Sequence, residues 1–247
     1  MVNTIVLDPG SYQARFGLAG DQTPSVCVRP IVYYDKLTRN MVPYDQVAPN
    51  AQGAYYLKQA VDNGMVMHDS FDPFFKHHAA QVSDAQVSSL FMVERALQPL
   101  QARFKLTEIF MEQYQLQHFY LGSCAVASLF SIGKTSGIVV DIGKNVIDLV
   151  PVYESSVLGY AVPRCKLDTF TVMYELSKEA SKRANLEQPF RLKPHEEAQL
   201  IQAVCTAPPK AEEVGKEEFV DHVLPDGTSI TFGNERKTSV LNAFFNP

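Results

Sequence analysis

Two short turns in this sequence carry an aspartate and a glycine directly after an apolar run. The first contains Asp8 and Gly10, the second contains Asp141 and Gly143, and one residue separates the members of each pair. Backbone N–H groups in such turns form concave nests that bind anions, and a nearby carboxylate orients a divalent metal through water. Two such turns that face each other would clasp a polyphosphate together with its metal ion.

Each turn joins two apolar segments, and this pattern predicts a β-hairpin. Residues 5–7 and 14–19 flank the first turn, and residues 138–140 and 146–150 flank the second. An Asp-x-Gly turn is a common hairpin connector, and either copy alone favours that simple interpretation. The occurrence of the same design at two places indicates a duplicated unit.

The composition indicates a folded protein of one or two domains. The chain has 247 residues, of which 46% are hydrophobic, and this is enough for a substantial core. The formal net charge is −5, and the lysines and arginines are scattered along the chain. These features disfavour DNA or RNA as a direct ligand.

The cysteines and the apolar runs bear on the cellular environment. Four cysteines lie far apart, at positions 27, 124, 165 and 205, which favours reduced thiols over a disulfide framework or a zinc site. The chain enters a short strand directly and has no run of about 18 apolar residues. We therefore expect a soluble protein that has no signal peptide and does not associate with membranes.

The apolar periodicity predicts an alternating α/β order. The predicted strands are residues 5–7, 14–18, 26–29, 87–93, 118–121, 138–140, 146–150 and 222–232 (a hairpin), and the predicted helices are residues 98–114, 123–131, 169–184 and 194–207. Residues 34–55 contain few apolar anchors and predict an irregular surface excursion, whereas residues 55–61 predict a short helix. Residues 208–218 are rich in proline and charge and predict a solvated loop or linker.

A further helix is predicted from residue 71, with Asp72 as its N-cap and Pro73 in its first turn. Within it, His77 and His78 are adjacent and diverge by about 100° on a helix, so one metal needs other partners to bind both. A surface or half-buried role is favoured for these histidines. The helix predicted over residues 98–114 has an approximate apolar face: Leu100, Phe104, Ile109, Phe110 and Tyr114.

Five segments, taken in order, resemble actin and its relatives: residues 6–11, 16–21, 136–143, 150–154 and 224–236. The resemblance implies an α/β fold of two ribonuclease H-like βββαβα lobes with an ATP and divalent-cation cleft between them. Residues 1–132 would form the first lobe, with a reduced small outer subdomain at about 25–60. Residues 133–247 would form a second, incomplete lobe that is truncated at its C-terminal end and contains the loop 208–218.

The resemblance also implies a set of cofactor-binding residues for ATP or ADP with Mg²⁺: Asp8, Gly10, Ser11, Tyr12, Arg15, Asp141, Gly143, Lys144 and Asn145. Asp8 and Asp141 would orient the metal through water. Four positions depart from the family pattern. Arg15 stands where a lysine is usual and keeps the positive charge, and Tyr12 replaces a glycine. Lys144 replaces an aspartate, and Asn145 replaces a glycine, although asparagine still tolerates the positive φ of such a turn.

The positions that the family uses to orient the attacking water have changed chemistry. The family has a glutamine and a histidine where this chain has Cys124 and Asp148. A thiol orients water poorly and Asp148 changes the charge, so we expect no catalytic residue and no hydrolysis by the usual route. Cys124 as a nucleophile is disfavoured because no motif ties a histidine or asparagine to it, and a small buried thiol is the commoner case.

These features predict a divergent actin-related protein that is not an enzyme and that serves as a structural subunit of a larger cytoskeletal or macromolecular assembly. A sheet that ends early leaves unpaired backbone groups and an uncovered apolar face, so we expect other protein subunits to cover residues 219–247. Nucleotide binding without turnover remains open, as does slow ATP hydrolysis with filament assembly. The expected location is the cytoplasm and its cytoskeleton, with nuclear and ciliary assemblies as further options.

Overall fold

The computed structural model describes residues 4–47, 55–62, 65–83, 87–166, 169–192, 194–206, 218–224 and 227–245. The chain divides into two compact units, residues 1–165 and 166–247. The division that we expected after residue 132 stays a prediction. The hairpin that follows residue 136 packs its apolar face on the helix Cys124–Ser131 within the first unit.

The strands are numbered in chain order. They are β1 (Thr4–Pro9), β2 (Ala14–Leu18), β3 (Val26–Val28), β4 (Ile31–Asp35), β5 (Met41–Pro43), β6 (Tyr55–Gln59), β7 (Val61–Asp62), β8 (Met65–Val66), β9 (Ser89–Glu94), β10 (His118–Ser123), β11 (Gly137–Ile142), β12 (Val146–Tyr153), β13 (Ser156–Val157), β14 (Arg164–Lys166), β15 (Val220–Val223) and β16 (Ser229–Phe232). The helices are α1 (His68–Val82), α2 (Leu100–Glu108), α3 (Cys124–Ser131), α4 (Thr169–Arg183), α5 (Pro194–Val204) and α6 (Glu235–Phe245).

A five-stranded mixed sheet with the order β10-β9-β1-β2-β3 forms the centre of the first unit. Strands β1, β9 and β10 run parallel, while β1–β2 and β2–β3 are antiparallel hairpin pairs. Buried side chains alternate along β1, as expected for a strand with one face on the core. The principal core is rich in phenylalanine and includes Ile5, Leu7, Phe16, Phe71, Phe74, Phe75, Leu90, Met92 and Phe110.

The described residues 31–47 and 55–59 differ from the sequence-based prediction. Where we expected an irregular excursion and a short helix, β5, β4 and β6 form an antiparallel three-stranded sheet. Burial alternates along β6 with a period of two, and Lys58 lies over the ring of Tyr34 on the neighbouring strand. The prediction was wrong because strand pairing between distant segments, and not local helix propensity, decides the structure here.

The helix predicted over residues 98–114 is interrupted. α2 ends at Glu108 and continues as a π-helical turn over Ile109–Gln113. Leu100 and Phe104 are 61% and 66% exposed, so the predicted apolar face is wrong in its first half, whereas Ile109 and Phe110 are buried as expected. A π-helical turn contains more residues than an α-helical turn, so it rotates the apolar face along the helix.

α1 also begins earlier than predicted, at His68, and Met67 precedes it without a side-chain cap. Asp72 is therefore not the N-cap; its carboxylate accepts a hydrogen bond of 2.7 Å from the hydroxyl of Tyr114. His77 is half-buried, as predicted, but His78 is only 3% exposed and packs against Phe74, with 4.8 Å between ring centres.

The β11–β12 hairpin belongs to a second sheet of the first unit, in which β12 also pairs with β13 and β14. One face of this hairpin, with Val150 and Val152, packs against Ala125 and Leu129 of α3. The opposite face carries three side chains of β11 that are 57–71% exposed: Ile138, Val140 and Ile142.

The described residues of the second unit form the β15–β16 hairpin and the helices α4, α5 and α6. Its buried side chains include Met173 and Leu176 of α4 and Ile230 and Phe232 of β16. The C-terminal helix α6 was not predicted, while the predicted loop over residues 208–218 lies outside the described residues except for Glu218. Within the described parts of the chain, every helix is too short or too polar to span a bilayer.

Candidate functional site

The candidate site lies at the carboxyl ends of the three parallel strands of the first sheet. Asp8 lies near the end of β1, Arg95 directly follows β9, and Cys124 directly follows β10. In open α/β sheets, ligand sites form at this edge because the loops that leave the strands converge there.

The first predicted loop follows Asp8. Gly10 is required by the backbone, because a Cβ atom there would lie 2.5 Å from the carbonyl oxygen of Gln13. Tyr12, which replaces a customary glycine, is held against Arg29, whose guanidinium carbon lies 5.1 Å from the ring centre. This packing on an arginine is how the loop accommodates the larger Tyr12 side chain. The neighbouring Ser11 is half-buried.

Arg15 lies across the hairpin from Asp8. The two residues are register partners in the β1–β2 pair, and their side chains form an ion pair with 2.8 Å between Nη1 and Oδ2. Both side chains are more than 40% exposed, so the pair is solvated. An ion pair of this kind contributes little to stability.

The second predicted loop connects β11 to β12. The N–H of Gly143 donates a hydrogen bond of 2.9 Å to the carbonyl of Val146, which closes the turn that Lys144 and Asn145 complete. Asp141 lies near the end of β11 with its side chain 32% exposed. The turn therefore keeps its hairpin geometry although Lys144 and Asn145 depart from the family pattern.

The two predicted aspartates both influence the pKa of the Cys124 thiol. The Sγ of Cys124 lies 3.9 Å from Oδ2 of Asp141. Burial, followed by the negative charges of Asp141 and Asp8, raises the pKa of the Cys124 thiol to about 12. The structure thus places Cys124, as a protonated thiol, beside the carboxylate of Asp141 in the second loop, and the charge of Asp8 in the first loop acts on the same thiol.

Asp148 is the centre of an ion-pair network that includes two arginines. Its side chain is fully buried, and its carboxylate accepts hydrogen bonds from Arg164 at 2.6 and 2.9 Å and from Arg95 at 2.8 Å. Arg164 also donates a hydrogen bond of 2.7 Å to the carbonyl of Ala96. Both carboxylate oxygens are thus engaged by guanidinium groups, a geometry that fixes the side chain.

Arg95 connects this network to the second loop. Its Nε lies 3.7 Å from the carboxylate of Asp141, and its guanidinium packs against Gly143, where an added Cβ would lie 3.8 Å from Nη1. The sequence-based prediction missed both Arg95 and Arg164. The position of Arg95 directly after a parallel strand was a usable signal, because Asp8 and Cys124 mark the same edge; Arg164 offered no local signal.

The arginines affect whether the site can bind the divalent metal that we expected. A site that orients Mg²⁺ through water needs carboxylates with negative charge to spare. Here Asp8 pairs with Arg15, and Asp141 and Asp148 share Arg95. The described residues therefore do not fit a divalent cation at this position, while their glycine turns and guanidinium groups still suit an anion.

Two other features of the first unit lie apart from this site. A groove of about 610 Å³ lies at the opposite, amino-terminal ends of β1, β9 and β10, where Thr4, Ser89 and His118 contribute to its lining. A polar cluster joins Asp45 to α1, with 2.9 Å between Oδ2 of Asp45 and Nε2 of His77. Neither contains a residue predicted for the cofactor.

A comparison with protein families agrees with this geometry. The family model described as Actin matches residues 1–203, which include both loops, Cys124, Asp148 and the two arginines. Members of this family generally bind ATP or ADP with Mg²⁺. Together with the mixed central sheet and its α/β order, this match shows that the chain is a member of the actin family with an actin-like fold.

Proposed function

We propose that this actin-family protein is a non-catalytic structural subunit of a larger cytoskeletal or macromolecular assembly. The observation that carries the proposal is the state of the two positions that would orient an attacking water. Asp148 is fully buried and engaged by Arg95 and Arg164, and the Cys124 thiol stays protonated.

Neither side chain is able to serve as a base or to position water. General-base catalysis needs a group with a pKa near the operating pH, within hydrogen-bond reach of the water. The pKa of Cys124 lies far above that range, and the oxygens of Asp148 are already occupied by guanidinium donors. We therefore infer that the fold serves to present surfaces to other proteins and not to hydrolyse a nucleotide.

Exposed apolar side chains support the role of a subunit. On β15, within the segment 219–247 where we expect partner proteins, Val223 is 63% exposed, and the neighbouring Phe219 is 56% exposed. The outer face of β11 adds Ile138, Val140 and Ile142. Apolar groups gathered on a surface mark sites of protein association.

The proposal is tested by phosphate release and by assembly state. The purified chain, incubated with ATP and Mg²⁺, is expected to release no phosphate above a protein-free blank. In cells of the source organism, the tagged chain is expected to sediment well above its own mass of 27.6 kDa. Hydrolysis above the blank would instead favour a slow ATPase of the actin family.

A surface variant locates the contact. Val223→Lys is expected to release the chain from its assembly, because a buried ammonium group is costly in an apolar interface. The matched control is Leu37→Lys, which changes a side chain that is 87% exposed in the loop after β4. Equal sedimentation of both variants with the parent chain would exclude β15 as the contact. A cytoplasmic, cytoskeletal location is part of the proposal and is read from the same tagged chain by microscopy.

A further inference from the structure

The guanidinium of Arg95 holds a fixed position in the candidate site. It lies 2.8 Å from Asp148 and 3.7 Å from Asp141, and its side chain is only 18% exposed. Arg164 holds Asp148 from the other side through both carboxylate oxygens. The positive charge of Arg95 is therefore part of the scaffold, in contrast to the exposed charge of Arg15.

The charges of the site leave a positive surplus. Three carboxylates contribute negative charge: Asp8, Asp141 and Asp148. Four cationic side chains accompany them: Arg15, Arg95 and Arg164 in the ion pairs, and Lys144 in the second loop. A divalent cation added beside Asp141 would face the Arg95 charge in a partly buried place, where screening by solvent is weak.

We propose that Arg95 takes the place of the divalent cation, so that the site binds a polyphosphate anion without Mg²⁺. The inference deepens the proposed function, on which it rests, since a subunit that does not hydrolyse its ligand needs no metal to activate a phosphate. The ligand class follows from the surplus positive charge, from the forked donors of Arg15 and Arg95, and from the glycine turns of the two loops.

The test uses the intact chain with ATP and inorganic tripolyphosphate as probes. Binding is measured by titration calorimetry, once in Mg²⁺ and once in EDTA. We expect the two dissociation constants for a given probe to agree within about threefold. Tripolyphosphate that binds as tightly as ATP would assign recognition to the phosphates, whereas tighter ATP binding would assign part of it to the nucleoside; both results support the proposal.

Variants of Arg95 test whether its guanidinium group takes the place of the metal ion. Arg95→Met is expected to weaken binding in EDTA by about tenfold or more, and added Mg²⁺ is expected to restore it. Arg95→Lys keeps the charge and is expected to stay independent of metal. Lys105→Met, in an exposed pair with Glu108 on α2, is the control and is expected to match the parent chain.

Two results would overturn the inference, and neither depends on a variant that folds. The first is binding by the parent chain in Mg²⁺ but not in EDTA. The second is the absence of binding to both probes under both conditions. Phosphate release measured in the same samples would refute the non-catalytic function while leaving the metal dependence of binding to be read separately.

Discussion

Asp141 and Asp148 lie directly opposite each other across the antiparallel β11–β12 pair. Side chains at such positions leave the same face of a hairpin, and like charges there repel. Arg95 lies between them, 3.7 Å from one carboxylate and 2.8 Å from the other. The positive charge of Arg95 offsets this repulsion, so the hairpin accommodates both aspartates on one face.

The ion pair between Asp148 and Arg164 is expected to stabilise the first unit. Arg164→Met should lower its free energy of unfolding by about 2–3 kcal/mol, because a fully buried carboxylate loses two of its donors and keeps only Arg95. Hydrogen exchange of β11 and β12 in increasing urea measures the effect. Lys105→Met removes an exposed pair and should cost about 0.5 kcal/mol or less. Equal losses in the two variants would contradict the role of burial.

The Cys124 thiol is expected to resist alkylation. With a pKa of about 12, only about one thiol in ten thousand is ionised at pH 8, and the thiolate is the reactive form. Mass spectrometry after timed treatment with iodoacetamide should show Cys124 modified far more slowly than the exposed Cys27 and Cys165. Asp141→Asn removes one of the charges that raise the pKa and should accelerate the reaction. Rapid modification of Cys124 in the parent chain would contradict the described environment.

His78 is expected to make the first unit sensitive to mild acid. Burial lowers its pKa below the ordinary value of 6.5, so the unfolded chain binds the proton more readily than the folded chain. Stability should therefore fall as the pH decreases below 6.5, until His78 titrates in the folded state. His78→Phe should remove this part of the decrease in melting temperature between pH 8 and pH 5.5, whereas the exposed control His118→Gln should not. An unchanged pH profile in His78→Phe would refute the assignment.

Glu235 is expected to stabilise the second unit above acidic pH. Burial alone would raise its pKa, but hydrogen bonds from Arg183 and from the N–H of Gly233 outweigh burial and lower the pKa below its ordinary value of 4.5. The stabilisation should be complete above pH 4.5 and disappear as the pH falls through the pKa of the folded state. Glu235→Gln should be less stable than the parent at pH 7, with the difference narrowing in acid.

The comparison for this prediction is Glu179→Gln, which alters an exposed pair with Lys182 on the same unit. Thermal unfolding followed by circular dichroism at pH 7 and at pH 3.5 provides the measurement. A difference in melting temperature between the parent and Glu235→Gln that stays constant over this pH range would show that the charge on Glu235 does not contribute to stability.

Local sequence patterns predicted the elements whose structure depends on residues that are close together in the sequence. The two Asp-x-Gly hairpins, α3 and α4 form close to their predicted bounds because turn chemistry and apolar periodicity act over a few residues. The sheet of β4, β5 and β6 was not predicted because β4 pairs with β6, whose residues lie 20 or more positions away in the sequence. The π-helical turn after Glu108 likewise has no sequence signal of its own.

The same distinction holds for the candidate site. Motifs predicted the two loops, and the structure brings the charges of Asp8 and Asp141 to bear on Cys124. The arginines could not be predicted from motifs, since Arg95 reaches Asp148 over 53 residues of sequence and Arg164 over 16. Their role depends on tertiary geometry. The sequence indicated only that Asp148 changes the charge at its position, whereas the structure buries its carboxylate against the two arginines.

The buried network around Asp148 also restricts which single substitutions the first unit tolerates. A histidine introduced at this position alone would place an imidazole between the guanidinium groups of Arg95 and Arg164, and Arg164 would lose the carboxylate that it binds. Such a change is expected to destabilise the first unit, because a partly buried cation without its counter-charge is costly. Only a simultaneous change of the three side chains avoids that cost.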